Sequence, residues 1–263
     1  MLIETLKSAA RTRLSTPQMS FLNSHRKTIV RLAGLLCGPD LCKLAVLNGT
    51  DKWADHWYAA HYQLHFQPFR KRKINLLEIG IGGYADPKAG GDSLRMWRSY
   101  FPNATIFGID IYDKSSHEES RIKILRGSQA DQVLLRQVSE RAGGFDIVID
   151  DGSHVSEHVV TSFQTLFPLL RRGGIYAVED TQTSYWPEFG GDTHDRSDVR
   201  TTMGFFKSLV DGLNYSEFTD VDRAPNYLDQ NIISVHFYHN LVFIYKGDNR
   251  EGRSSFARKE WQR

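Results

Sequence analysis

Cysteine is nearly absent from this sequence: Cys37 and Cys42 are the only two among 263 residues. Two cysteines make no disulfide framework, and their CxxxxC spacing lacks the second pair that a structural zinc site needs. Reduced thiols in a cytoplasmic protein are the expectation. Excess charge of one sign is missing as well. A formal net charge of +2 is far from the strongly basic balance of a dedicated nucleic-acid binder, so no nucleic-acid partner is expected. Long hydrophobic runs are also lacking, and no apolar stretch reaches the ~18 residues needed to span a bilayer. The first fourteen residues, Met1 to Leu14, place Leu2, Ile3, Leu6, Ala10 and Leu14 on one helical side. They lack the continuous apolar centre of a signal peptide, and packing on the main domain or on another subunit is expected of them. There are no internal repeats. The remaining composition, 40% hydrophobic and 24% charged, is that of an ordinary soluble globular chain, long enough for one α/β domain with additions.

What is present concentrates between residues 145 and 180. Phe145-Asp-Ile-Val-Ile-Asp150-Asp151-Gly-Ser-His154 and Ile175-Tyr-Ala-Val-Glu179-Asp180 are two short apolar runs, each ending in paired acids. Such runs, bounded by turn signals, read as buried strands of a parallel sheet. Ser156 to Arg172 is long enough to be the crossover helix between them. Ligands of such sheets bind just beyond the carboxyl ends of the strands. Four carboxylates and an imidazole would crowd that rim, and like charges so close cannot all ionise unaided. A bound divalent cation is the simplest resolution.

The rest of the chain extends this rhythm. Residues up to about 70 read as helical: Leu32, Leu35, Leu36 and Leu44, Leu47 suggest short helices broken at Gly38-Pro39. In the aromatic stretch that follows, Trp53, Trp57 (or Tyr58), His61 and His65 fall at helical spacing and read as core packing. Strands are expected at Ile74–Ile81, Ala104–Ile111 and Ile122–Leu125, and helices at Ser93–Tyr100, Asp131–Arg141 and Thr201–Leu213. Ile232–Phe237 and Leu241–Lys246, joined by Tyr238-His-Asn240, are too close in sequence to be anything but an antiparallel hairpin. The expected fold class is therefore α/β: a Rossmann-like class I methyltransferase with a mostly parallel seven-stranded sheet, a terminal antiparallel hairpin and added N-terminal helices. Its divisions are an N-terminal helical cap or oligomerisation region (1–70), the methyltransferase domain (71–247) and a polar tail (248–263).

The glycine loop Glu78-Ile-Gly80-Ile-Gly82-Gly83-Tyr84-Ala85 follows the first strand and matches G-x-G-x-x-A, the dinucleotide fingerprint. A nicotinamide enzyme is one reading. Two features favour S-adenosylmethionine instead. Asp86-Pro87 and Gly90-Gly91 keep the chain irregular until Ser93, whereas a dinucleotide fold starts its helix inside the motif, with the N-terminus on the pyrophosphate. Glu78, two residues before the first glycine, is a carboxylate suited to an ammonium group, directly or through water. Asp110, ending the second strand, suits ribose hydroxyls in either reading. Gln129 and Asp131 follow the third strand, where adenine would lie, although Asp131 is equally a plain helix N-cap. Ser93 can cap its helix and meet the cofactor carboxylate.

These motifs together resemble a specific family. Gly80–Tyr84 with Gly90-Gly-Asp-Ser-Leu-Arg-Met-Trp97, then Gly108–Lys114, Phe145–His154, and Glu179-Asp180 followed by Tyr185-Trp-Pro-Glu-Phe-Gly-Gly191 are similar to the magnesium-dependent sugar O-methyltransferases of macrolide biosynthesis and to rhamnosyl O-methyltransferases. The resemblance runs from about Gly49-Thr-Asp-Lys52 to Lys246. It implies methyl transfer from S-adenosylmethionine to a hydroxyl of a glycosylated small-molecule acceptor, with Asp151, Glu179 and Asp180 as Mg2+ ligands, His154 as general base and Asp150 facing the cofactor side of the rim. It also implies a homo-oligomer formed through the N-terminal helices. The sequence departs from the macrolide enzymes in two places: it has no room for their additional N-terminal domain, and Thr181-Gln182 replace larger apolar residues.

The chemistry fits those residue types. All-oxygen ligation by carboxylates suits a hard cation, which can stabilise an alkoxide developing from a hydroxyl of high pKa. Histidine, with an unperturbed pKa near neutrality, can take the proton. His158, one helical turn on, reads as support or packing. Tyr185 and Trp186, in a glycine-flanked loop, offer an aromatic face to a sugar or aglycone. A catechol-type O-methyltransferase, a nicotinamide-dependent oxidoreductase and a silent binding partner that keeps the cofactor fold are the competing expectations.

Overall fold

A computed structural model describes residues 34, 37–219 and 223–253 of the chain. The segment Met1 to Leu14, Leu32, Leu35 and Leu36, and the tail from residue 254 lie outside the described residues.

Two short helices, α1 (Leu41–Asn48) and α2 (Tyr58–Phe66), precede the sheet. Asp40 caps α1, its carboxylate accepting the Lys43 amide, and Gly49 ends it in the left-handed region, which a residue without a Cβ enters at little cost. Of the aromatic stretch read at helical spacing from Trp53, only the part from Tyr58 is helix, and Trp53 lies in the turn before it. Because α2 starts at Tyr58, its buried side carries Tyr58, Ala59, Tyr62, His65 and Phe66, and Trp57 is left exposed.

From residue 75 strands and helices alternate. The order is β1 (Asn75–Ile79), α3 (Asp92–Tyr100), β2 (Thr105–Asp110), β3 (Ile122–Arg126), α4 (Gln132–Ala142), β4 (Ile147–Asp150), α5 (Ser156–Leu166) and β5 (Ile175–Val178). There follow α6 (Thr202–Gly212), α7 (Tyr227–Asn231), β6 (Ile232–Tyr238) and β7 (Leu241–Lys246). The seven strands run β3-β2-β1-β4-β5-β7-β6, with β7 antiparallel to both β5 and β6. This is the seven-stranded sheet with a terminal antiparallel pair expected from the pattern of runs. The crossover helix α5 stops at Leu166 instead of reaching Arg172. Pro168 explains this: a proline cannot donate to the helix ladder and disfavours helical backbone at the residue before it.

The sheet separates two apolar layers. Alternation along β1 sends Leu76 into a layer with α1, α2 and α3, and Leu77 into a layer with α4, α5 and α6. The first layer holds Trp97, Tyr62, Tyr100, Phe66 and Phe101, all fully buried. Each such side chain contributes on the order of 2–3 kcal/mol by leaving water. Residues 41–69 are therefore packed into the same core as the sheet.

The chain order reverses between β1 and β4: β2 and β3 lie on one side of β1, β4 and β5 on the other. At such a switch point the loops leaving the two strands part, and a crevice opens beyond their carboxyl ends. The glycine loop after β1 and the acidic loop after β4 both leave the sheet there.

Candidate active site

Strand register puts the acids together. Ile79 pairs with Asp150, and Asp150 with Val178, so Asp151 and Glu179 are the next residues out on adjacent strands. Two groups of possible ligand atoms gather, each within 4.8 Å: Asp151, His154 and Asp180 towards the surface, and Glu78, Asp151 and Glu179 towards the interior. Asp151 belongs to both.

The inner group encloses a cation that the sequence reading did not single out. Lys52 Nζ lies 2.7 Å from Asp151 Oδ2, 2.7 Å from Glu179 Oε1 and 3.4 Å from Glu78 Oε1, and its side chain is only 1% exposed. Two phenols join it from α2. Tyr62 donates to Glu179 Oε1 at 2.6 Å, and Tyr58 to Asp180 Oδ1 at 2.7 Å. Asp151, Glu179 and Asp180 thus each have one oxygen held by a hydrogen-bond donor from residues 52–62.

Burial dominates the titration of this cluster. It raises Glu179 well above the usual carboxylate range, with Asp151 adding to the rise, and it raises Asp151 despite the opposing pull of Lys52. Glu78, fully buried, is pushed up to about 7. Burial alone would lower Lys52; Asp151, Glu179 and Glu78 outweigh it and hold the ammonium charged. Tyr58 and Tyr62 are raised by burial and by their acidic partners, so both stay protonated donors at neutral pH.

The outer group is held by strained backbone. His154 has φ 57° and Asp180 φ 51°, left-handed values that cost a non-glycine residue about 1–3 kcal/mol and persist only where the surroundings impose them. The Thr183 hydroxyl lies 3.0 Å from both the His154 and the Asp180 carbonyls and ties the two turns together. His154 Nε2 then stands 3.7 Å from Asp180 Oδ2.

The structure places the remaining expected residues as follows. Gly80 has φ 89°, and a Cβ there would sit 1.9 Å from the Asp151 carbonyl oxygen, so only glycine lets the two loops pass so closely. At Gly82 the nearest atom to an added Cβ is 3.9 Å away, leaving open space for a ligand over the loop. Asp110 accepts the amides of Ile81 and Tyr112, bracing the ends of β1 and β2. Gln129 accepts from the Ser153 amide and donates to Asp150, linking the loop after β3 to the acidic loop. Asp131 is the N-cap of α4, its carboxylate accepting from Val133 and Leu134 at 3.0 Å. Tyr185 and Trp186 are partly exposed at the end of a 3-10 turn, Thr181–Tyr185.

Three expected residues are turned inward. Asp150 is buried with Ser162, Tyr176 and Gln129 around its carboxylate, and burial raises it to about 6. Ser93 is no helix cap, because Gly91 takes that position in the left-handed region. Its hydroxyl donates instead to Glu78 Oε2 at 2.9 Å. The ammonium that Glu78 faces is that of Lys52.

The donor set fits a hard divalent ion. The atoms around a six-coordinate Mg2+ lie about 3–4 Å from one another, comparable with the spacing of the outer group. The second oxygens of Asp151 and Glu179 carry no hydrogen bond among the described residues. The crevice also fits a nucleoside ligand, because the glycine loop offers backbone without side chains and an added Cβ at Gly82 would meet nothing nearer than 3.9 Å.

Comparison with known proteins identifies relatives of this chain. No protein-family model matches the chain. Demethylmacrocin O-methyltransferase of Streptomyces fradiae is 48% identical over 235 residues, 88% of this chain and 60% of that enzyme. The 8-demethyl-8-alpha-L-rhamnosyl tetracenomycin-C 2'-O-methyltransferase of Streptomyces olivaceus is 50% identical over 212 residues, 80% of this chain and 56% of that enzyme. A solved structure of MycE methyltransferase from the mycinamycin biosynthetic pathway, in complex with Mg, SAH and mycinamycin VI, superposes with a TM-score of 0.80 at 44% identity. That match covers 86% of this chain and 58% of MycE, so the chain spans about three fifths of the length of these relatives. Over most of its own length the chain is thus similar in sequence and fold to sugar O-methyltransferases of macrolide and rhamnosyl pathways.

Proposed function

We propose that the chain is an S-adenosylmethionine- and Mg2+-dependent O-methyltransferase acting on a hydroxyl of a deoxysugar, of rhamnosyl type, in a glycosylated natural product or glycolipid. One observation carries this reading: Asp151, Asp180 and His154 converge at the switch point of the sheet, with Glu179 beside Asp151 and the glycine loop alongside. The names of the relatives support it, and so does the MycE complex with Mg and SAH.

In this reading the second oxygens of Asp151 and Glu179, with Asp180, hold the ion. Gly80, Gly82, Asp110 and Gln129 shape the cofactor crevice; Asp131, Asp150, Ser93 and Glu78 support it from beneath and behind. When bound, S-adenosylmethionine supplies the methyl group and Mg2+ the positive charge that favours an alkoxide. His154, whose Nε2 stands 3.7 Å from Asp180 Oδ2, takes the proton of the sugar hydroxyl. Tyr185 and Trp186 cover the sugar or its aglycone. Residues 71–247 carry the sheet of the methyltransferase domain, residues 41–69 pack into the same core and lend Lys52, Tyr58 and Tyr62 to the acids, and the working unit is a homo-oligomer. No helix among the described residues is long and apolar enough to cross a membrane. Cys37 and Cys42 are both unpaired, as a cytoplasmic site of action would have them.

The test is to supply a rhamnosylated acceptor and a catechol in parallel with S-adenosylmethionine and Mg2+, and to follow methylated product by mass. Methylation of the rhamnosyl compound is expected. Turnover of the catechol alone would reject the sugar reading.

A further inference from the structure

The two groups of acids share Asp151 but differ in what fills them. The outer one opens to solvent. The inner one, Glu78, Asp151 and Glu179, brings one oxygen of each of three carboxylates within 4.8 Å of the others, a spacing that a cation could bridge. Its centre is taken by the ammonium of Lys52, at 2.7, 2.7 and 3.4 Å from the three acids.

We propose that Lys52 is a tethered counter-cation that fills the inner acid group, so that the site takes one divalent ion and takes it only at the outer position. This rests on the proposed metal-dependent reading, but concerns a residue to which that reading gives no role. Lys52 lies 99 positions before Asp151 and 127 before Glu179 in the chain, so the fold has to bring it there. The turn holding it is well made: the Lys52 carbonyl accepts the Ala59 amide at 2.9 Å, at the start of α2. Tyr62, one turn into that helix, adds a second donor to the same Glu179 oxygen.

The consequence is a division of oxygens. Asp151 Oδ2 and Glu179 Oε1 are both taken by Lys52 at 2.7 Å, which leaves the second oxygen of each carboxylate for a ligand other than the lysine. Glu78 Oε1, buried and without a hydrogen-bond partner, has only this ammonium for charge compensation. An ion in the inner position would need to displace the lysine, and its charge would lie beside the cofactor crevice. Lys52 thus acts as a positioning residue through Asp151 and Glu179.

The experiment is Mn2+ binding to the purified full chain, followed by calorimetry and by the loss of the free-ion electron paramagnetic resonance signal. The wild type should take up one Mn2+ per chain. Lys52→Met, of similar length and no charge, should take up two, or bind the first at least tenfold more tightly. Lys52→Arg should return to one ion. If Lys52→Met still binds one ion with unchanged affinity, the ammonium does not guard the inner group and the proposal is overturned. Should both variants fail to fold, amine acylation of the wild type decides. Lys52 unmodified with and without Mn2+ supports the proposal, and Lys52 becoming reactive once Mn2+ is added, or two ions in the wild type, overturns it. None of these readouts requires methyl transfer, so a chain that binds ions as described but methylates no sugar would sink the proposed activity and leave this inference standing.

Discussion

His154 Nε2 stands 3.7 Å from Asp180 Oδ2, and both residues hold backbone φ values near +50°, at 57° and 51°. Two left-handed non-glycine residues facing each other is an arrangement the chain maintains against local strain. The account gives His154 the proton of the acceptor hydroxyl. His154→Ala should therefore lower turnover by about 10²–10⁴-fold. S-adenosylhomocysteine affinity, measured by calorimetry, should stay within a few-fold of wild type, since this side chain lies with the acids and not at the glycine loop. Equal loss of both would show that the residue supports the fold instead.

Thr183 joins the turns carrying these two residues, its hydroxyl 3.0 Å from each carbonyl. Replacing it with valine keeps the shape and removes the bond, leaving a carbonyl short of a donor. The expected cost is about 1–2 kcal/mol of stability, read as a shift in denaturant midpoint. Turnover should fall further than that loss of stability accounts for, because His154 and Asp180 lose their common anchor. A variant with normal turnover and normal stability would remove Thr183 from the account.

Much of this arrangement was legible in the sequence, and the parts that were not have identifiable reasons. The acid-tipped runs announced β4 and β5 because buried parallel strands are written as continuous apolar residues, and the register of adjacent strands then fixed Asp151 beside Glu179. The hairpin of β6 and β7 followed from the short connection between the two runs. Lys52, Tyr58 and Tyr62 were missed as functional residues. They belong to a helical region whose pattern speaks only of packing, and their partners lie about 100 or more positions away. One signal was available: Thr50-Asp51-Lys52 opens the stretch similar to the sugar methyltransferases. The inward turn of Asp150 was unreadable for a different reason. Alternation sends it to the opposite face from Ile149, and the polar pocket that receives it comes from Ser162 and Tyr176, on other elements.

Gly80→Ala tests the close passage of the two loops. The added methyl would lie 1.9 Å from the Asp151 carbonyl oxygen in a left-handed backbone. Overlap of that size together with strain should destabilise the fold by about 2–4 kcal/mol, and cofactor binding should weaken with it. A Gly80→Ala protein with an unchanged melting temperature would contradict the description of this crossing.

His65 supplies a pH dependence remote from the acids. Its ring nitrogens lie 2.6 Å from the Tyr245 hydroxyl and 2.9 Å from that of Tyr238, with Phe243 stacked on its face. Burial, helped by His236 and His61, depresses its pKa from 6.5 to about 4. The unfolded chain therefore gains a proton near pH 6.5 while the folded chain does not. The stability contributed by the neutral ring is complete above that pH and is lost as pH falls towards 4, by up to about 3 kcal/mol. Unfolding by denaturant at pH 7.5 and pH 4.5 should show a smaller difference for His65→Phe than for wild type. Equal differences would remove His65 as the cause.

The central claim is that a divalent ion at Asp151, Glu179 and Asp180 is required for methyl transfer to a sugar hydroxyl. The most direct measurement is transfer of a labelled methyl group from S-adenosylmethionine to a rhamnosylated acceptor, before and after EDTA treatment and on adding Mg2+ back. The account predicts loss of at least about 100-fold on chelation and full recovery with Mg2+, a scale set by the several kcal/mol that a metal ion contributes to charge stabilisation. Transfer that continues undiminished in EDTA would contradict it.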